Sequence, residues 1–182
     1  MRYSLENLFD EFCKYLEGKL KWSEKRQKSK KWTETVFDFF KELNKGEDPS
    51  FVEKREHMLI DYIWRRPMPT FSTNDIELAV EHENEKKKID KLINEEVQHL
   101  VDIKAENKIG IFYVSGGDEK EFIKRIQEKI RQQWLKLPTE KYLIILGNPT
   151  TSQKKRAILF KGLFFNSNGE PKEEKEKIVL QI

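Results

Sequence analysis

Ile76-Glu77-Leu78-Ala79-Val80-Glu81-His82-Glu83-Asn84 is the stretch on which the fold turns. Its middle is apolar on both faces, as suits a strand buried between two layers, yet it ends on three polar groups in succession. Side chains on a strand alternate faces, so Glu81 and Glu83 project on the same side. Two carboxylates held that close repel each other unless a cation lies between them or one takes up a proton. Hard oxygen ligands of this kind suit Mg²⁺ or Mn²⁺. A third acid, Asp61, ends another apolar run, Met58-Leu59-Ile60. Burying charge is costly, so acids set in apolar runs are candidates for a site.

Downstream of this strand the pattern alternates. Ile89, Leu92, Ile93, Val97, Leu100 and Val101 mark a helix, and Lys108 to Val114 a strand closed by Ser115-Gly116-Gly117. Phe122 to Leu135 predicts another amphipathic helix, Tyr142 to Leu146 another strand, and Ala157 to Phe165 a last strand before the turn at Asn166-Ser167-Asn168-Gly169. Lys172 to Lys177 reads as a solvated charged tail. Upstream, Leu5, Leu8, Phe9, Phe12, Cys13 and Leu16 follow the spacing of a buried helical stripe, and a second helix starts at Thr33 or Thr35 and runs to Leu43. Val52 to Glu56 is expected to be a short helix leading into Met58–Trp64, which fits either a strand or a helix end. The expectation is one α/β domain over residues 1–182, with a partly parallel sheet and a helical N-terminal part (1–50) covering one of its faces.

The composition fits a packed, soluble chain: 37% of its 182 residues are hydrophobic, 12% aromatic and 37% charged. The single cysteine, Cys13, excludes an internal disulfide and a cysteine-based zinc cluster, and its place in the helical stripe marks it as a small buried hydrophobe. No apolar run approaches a membrane span and the N-terminus lacks a signal-peptide core, so a cytoplasmic protein with no membrane partner is expected. A net charge of +3 does not by itself imply nucleic-acid binding, so the placement of the charge matters.

The acidic constellation resembles the PD-(D/E)XK, or restriction-endonuclease-like, nuclease superfamily in its Glu-x-Glu variant. Asp61 matches the family's first acid and Glu81 its second, and Glu83 stands where the usual lysine does. The helix Lys88 to Glu106 and the strand after it fit the core order, and Glu56 matches an acid that some members carry on their first helix. The resemblance implies a central mixed sheet flanked by helices, with residues 51–166 as the nuclease-like core and the N-terminal helices as an extension. It implies a Mg²⁺ (or Mn²⁺) ion held by Asp61, Glu81 and the backbone carbonyl of His82, with Glu83 orienting or deprotonating the attacking water. The implied reaction is phosphodiester hydrolysis, with DNA as the expected substrate and a homodimer as a possible assembly. The chain departs from the pattern in having no Pro before Asp61 and no Lys at 83.

Seven basic residues between Lys19 and Lys31, bracketed by Trp22 and Trp32, have the composition of a nucleic-acid contact. Lys25, Arg26, Lys30 and Lys31 are its candidates for phosphate binding, with Arg65 and Arg66 beside Asp61. His82 and His99 lack the spacing of a zinc helix and read as ordinary hydrogen-bonded histidines. Two other readings stay open. The acids are solvated strand ends or partners of Arg55 and Arg65 in ion pairs, or the chain is a non-catalytic nucleic-acid- or protein-binding module on a nuclease-like fold.

Overall fold

The computed structural model describes residues 3–19, 29–47, 50–67, 75–85, 87–114, 117–151 and 156–181. Its centre is a seven-stranded mixed sheet whose spatial order follows the chain: β1 (Val52–His57), β2 (Ile60–Arg65), β3 (Ile76–Glu83), β4 (Asn107–Phe112), β5 (Lys141–Thr151), β6 (Arg156–Asn166) and β7 (Pro171–Gln181). β3–β4 and β4–β5 pair in parallel, and every other pair is antiparallel. Parallel neighbours need a crossover. The first is a helix built from α3 (Ile89–Leu92), a π-helical segment (Ile93–Val97) and α4 (Gln98–Asp102), and the second is α5 (Glu119–Gln132).

The alternation of strand residues sorts the core into two layers. Tyr62, Trp64, Leu78, Val80, Ile109, Ile111, Leu143 and Ile145 face α1 (Leu5–Lys19) and α2 (Ser29–Asn44). Ile63, Ala79, Phe112, Tyr142, Ile144 and Leu146 face the crossover helix and α5. The α1 stripe is buried as its spacing predicts, Cys13 included, and burial pushes the Cys13 thiol up to about 12. Phe12 meets Phe39 and Phe160 edge-on at centroid distances of 5.3 and 5.7 Å. Gly162 on β6 lies directly under Phe9, where an added Cβ would meet the ring at 2.8 Å.

Three expectations need correction. Val52–Glu56 is not a helix but most of edge strand β1, paired with β2 from Val52↔Arg65 to His57↔Ile60. Its sequence has no strand-like alternation, and the pairing available across a hairpin overrode local preference. Glu56 therefore sits on a strand rather than on a first helix. The run Lys172 to Lys177 is solvated as expected but belongs to β7, where Lys and Glu suit the exposed edge of a sheet. Finally, α2 begins at Ser29, so Lys30 and Lys31 lie in its first turn.

Candidate metal centre

Because β2 and β3 run antiparallel, the start of one meets the end of the other. Asp61, second in β2, lies across from Glu81 and His82. The His82 backbone N–H donates to Asp61 Oδ2 at 2.8 Å, and the Asp61 N–H donates to Glu81 Oε2 at 3.4 Å. Two acids 20 residues apart in sequence are thus locked together at one end of the β2–β3 pair.

The crossover helix adds two groups: Glu96, which the apolar pattern of the sequence does not single out, and His99, whose spacing reads as that of an ordinary histidine. Glu96, in the π-helical segment, and His99, one turn on, share a helix face. Glu81, Glu96 and His99 each present one ligand atom, and these atoms lie within 4.8 Å of one another. The signal was present as Glu96-Val97-Gln98-His99, a glutamate and a histidine three apart, which is a known ligand spacing on helices. The π-helical segment itself is of a kind often found at functional sites.

Lys87 joins the cluster from the loop after β3, its ammonium bridging Glu83 and Glu96. The other Glu83 oxygen accepts the Glu85 backbone N–H at 2.7 Å. Glu81 and Glu83 thus both reach Glu96, Glu81 directly and Glu83 through Lys87. His82 points the other way. Its ring packs edge-on against Phe37 and Tyr113, with Nε2 3.3 Å from the Tyr113 hydroxyl, and burial depresses its pKa to about 3.

The electrostatics follow from crowding acids in a dry place. Burial raises Glu81 far above the usual carboxylate range, helped by its hydrogen bond to Glu96 and by the charges of Asp61 and Glu96. Burial pushes Glu96 up as well, but the hydrogen bond from Glu81 and the Lys87 ammonium outweigh it and hold Glu96 below its ordinary value. The shared proton therefore resides on Glu81. Asp61 is raised by burial, only partly offset by the His82 amide, with further upward pressure from Glu96, Glu83 and Glu56. Behind the cluster Lys108 is fully buried, its ammonium 2.9 Å from the Val101 carbonyl and 3.1 Å from Glu140. Burial lowers it to about 8 even with that partner.

The donor set can be tested against a cation. Carboxylate oxygens suit Mg²⁺ and Mn²⁺ alike, whereas an imidazole nitrogen is more at home on Mn²⁺ and the later metals than on Mg²⁺. Glu81, Glu96 and His99, with Asp61 alongside, therefore fit a Mn²⁺-like ion better than Mg²⁺.

The other candidates are scattered. Arg65 and Arg66 close the far end of β2, roughly 13 to 17 Å from Asp61 at the usual strand rise. Arg66 is engaged with Glu77 at 2.6 Å and Glu106 at 3.0 Å. Lys31 is exposed on α2, and Lys30 lies in the same turn. Lys25 and Arg26 fall outside the described residues, as does Trp22. Trp32 packs on Tyr113 and Phe160, and its indole N–H donates to the Tyr113 hydroxyl. Among the described residues no helix is long and apolar enough to cross a membrane. No protein-family model matches the chain, and no curated protein matches it.

Proposed function

We propose that this chain is a metal-dependent nuclease of restriction-endonuclease-like fold that hydrolyses phosphodiester bonds in DNA. The observation that carries the reading is the convergence of Asp61 and Glu81 across the β2–β3 pair, with Glu96 and His99 beside them. The order of elements supports it, since a helix follows the Glu-x-Glu strand and returns the chain to a parallel neighbour.

In this reading Asp61, Glu81, Glu96 and His99 hold a Mn²⁺ or Mg²⁺ ion, with the His82 carbonyl as a further ligand. The ion supplies electrophilic stabilisation of charge on the phosphate. Lys87 sets a second positive charge beside it, the role left open by the absence of a lysine at 83. Glu83 holds that ammonium through one oxygen and, in this reading, orients or deprotonates the attacking water. Asn84, just past β3, donates to Thr33 Oγ1 at 2.8 Å, which ties α2, whose first turn carries Lys30 and Lys31, to the strand end that bears the acids. Arg65 and Arg66 lie at the other end of β2, away from the acids.

One observation favours a second reading. Lys87 already neutralises part of the cluster, as it would in a non-catalytic binding module whose acids form structural ion pairs. Cleavage of labelled single- and double-stranded DNA with Mn²⁺, Mg²⁺ or EDTA separates the two. The nuclease reading expects metal-dependent cutting that Glu81→Ala abolishes. No cutting of any substrate, together with no heat of metal binding, would leave the binding module.

A further inference from the structure

Four large apolar side chains stand in solvent along two hollows beside the crossover helix. Met58 and Leu59 are 51% and 72% exposed, and Trp134 and Leu135 are 93% and 65% exposed. Two adjoining hollows connect them to the site. The first is lined by Met58, Leu59, Ile103 and His99, the same histidine that faces Glu81 and Glu96. The second, a cavity of about 480 Å³, is lined by Trp134, Leu135, Gln98 and Lys129. Asp102 and Lys104 line both, so the hollows adjoin at the end of α4. That volume lies in the range of sites for nucleotide-sized ligands, roughly 300 to 1,000 Å³.

The backbone shows that the apolar tip is not incidental. Met58 and Leu59 form the two-residue turn between β1 and β2, with φ of 53° and 67°. Such a turn normally takes Asn-Gly, because other side chains are strained at positive φ. Here the strain is tolerated and two apolar side chains are held out beside the site, the pattern expected of a functional rather than a stabilising turn.

The geometry points to a furrow for single-stranded DNA, running from the acid cluster past the Met58–Leu59 tip to Trp134, with an unstacked base lying on the Trp134 indole. An exposed indole is a stacking surface for any base whose π-face is free, and a base inside a duplex has none to offer. Lys104 and Lys129 supply charge for the backbone, and among the described residues neither forms an ion pair. Asp102, the acid of the furrow, is tied to Gln98 at 2.6 Å. Met58 and Leu59 pack against deoxyribose without leaving a ribose 2′-hydroxyl unpaired, which favours DNA over RNA. The assignment deepens the nuclease reading by naming its substrate class, but binding can be measured without cutting.

The test is binding of labelled oligothymidylate, oligouridylate and a blunt duplex in EDTA, for wild type, Trp134→Ala and Met58→Asn/Leu59→Gly. Trp134 is almost wholly exposed, so its removal leaves the fold intact, which a thermal melt checks. The expected result is that wild type prefers oligothymidylate, that Trp134→Ala weakens this binding about tenfold, and that the turn variant weakens it while melting higher. Unchanged binding by Trp134→Ala overturns the furrow, as does a preference for duplex, and equal binding of oligouridylate overturns the choice of DNA. Trp134-dependent binding by a protein that never cuts retains the furrow and removes the nuclease. Cutting by a protein whose binding ignores Trp134 does the reverse.

Discussion

Glu81→Gln should make the metal-free protein more stable. With its pKa well above neutrality in the folded state, Glu81 folds by taking up a proton that the unfolded chain lacks at pH 7. The cost is set by the interval between pH 7 and the ordinary glutamate value of 4.5, and amounts to about 3 kcal/mol however far the folded value is raised. Glutamine removes that cost while keeping the shape. Its amide donates to Glu96, and its oxygen accepts the Asp61 N–H as Glu81 does. For a chain of this size about 3 kcal/mol corresponds to a rise in Tm of roughly 6 to 12 °C. The sign against pH is equally specific. A carboxyl whose folded pKa is raised favours folding fully below its unfolded value, and this contribution is lost as pH rises towards the folded value. The advantage of the variant should therefore vanish near pH 4.5 and grow up to pH 8. Thermal melts in EDTA across that range measure it. A variant less stable than wild type at pH 7, or an advantage that ignores pH, would show that Glu81 is ionised in the folded protein and refute the reasoning.

The other expectations can be measured on the same material. Lys108→Met strands Glu140 without its partner in the core and should cost about 3 to 5 kcal/mol in urea unfolding; adding Glu140→Leu should recover most of that loss, and a double variant as weak as the sum of the singles would show that the pair is not coupled. Met58→Asn/Leu59→Gly relieves two strained residues and should stabilise by about 2 kcal/mol or more, whereas a loss would mean that the side chains hold the turn. Mn²⁺ at a hundred times its Kd should stabilise wild type by about 2.7 kcal/mol, and His99→Ala should raise the concentration needed, more steeply for Mn²⁺ than for Mg²⁺.

The parts of this structure legible in the sequence were those where local pattern and tertiary demand agree. The α1 stripe, the apolar middle of β3, and the strands at the centre of β4 and β5 are buried on every side, and burial writes itself into composition. Both edge strands escape the pattern for the converse reason. β1 and β7 carry mostly exposed side chains, so nothing in Val52-Glu53-Lys54-Arg55-Glu56 or Lys172–Lys177 marks a strand, and only the partner across the hairpin does. At the candidate site the sequence paired Asp61 with Glu81, because both interrupt apolar runs. It does not mark Glu96 and offers His99 only as an ordinary histidine, since on an amphipathic helix a polar residue facing inward looks like one facing water until the sheet is in place. Lys87 was one of several loop lysines with nothing to distinguish them.

The charges of the cluster bear on which of the two functional readings is right. Asp61, Glu81, Glu83 and Glu96 bring four carboxylates together, and Lys87 is the ammonium that bridges two of them. A set of structural ion pairs would match its charges, because unmatched buried charge destabilises the fold. This set is left three negative charges in excess if all four acids ionise, and two once Glu81 keeps its proton. A divalent cation that replaces that proton lowers the excess to one, so ion and proton compete for the same carboxylate. Binding of Mn²⁺ at pH 7 should then release about one proton. Calorimetric titrations in two buffers of different ionisation enthalpy measure the number directly. A heat of binding that does not depend on the buffer would place the ion away from Glu81, and the convergence of Asp61 and Glu81 would then have to be explained without a metal.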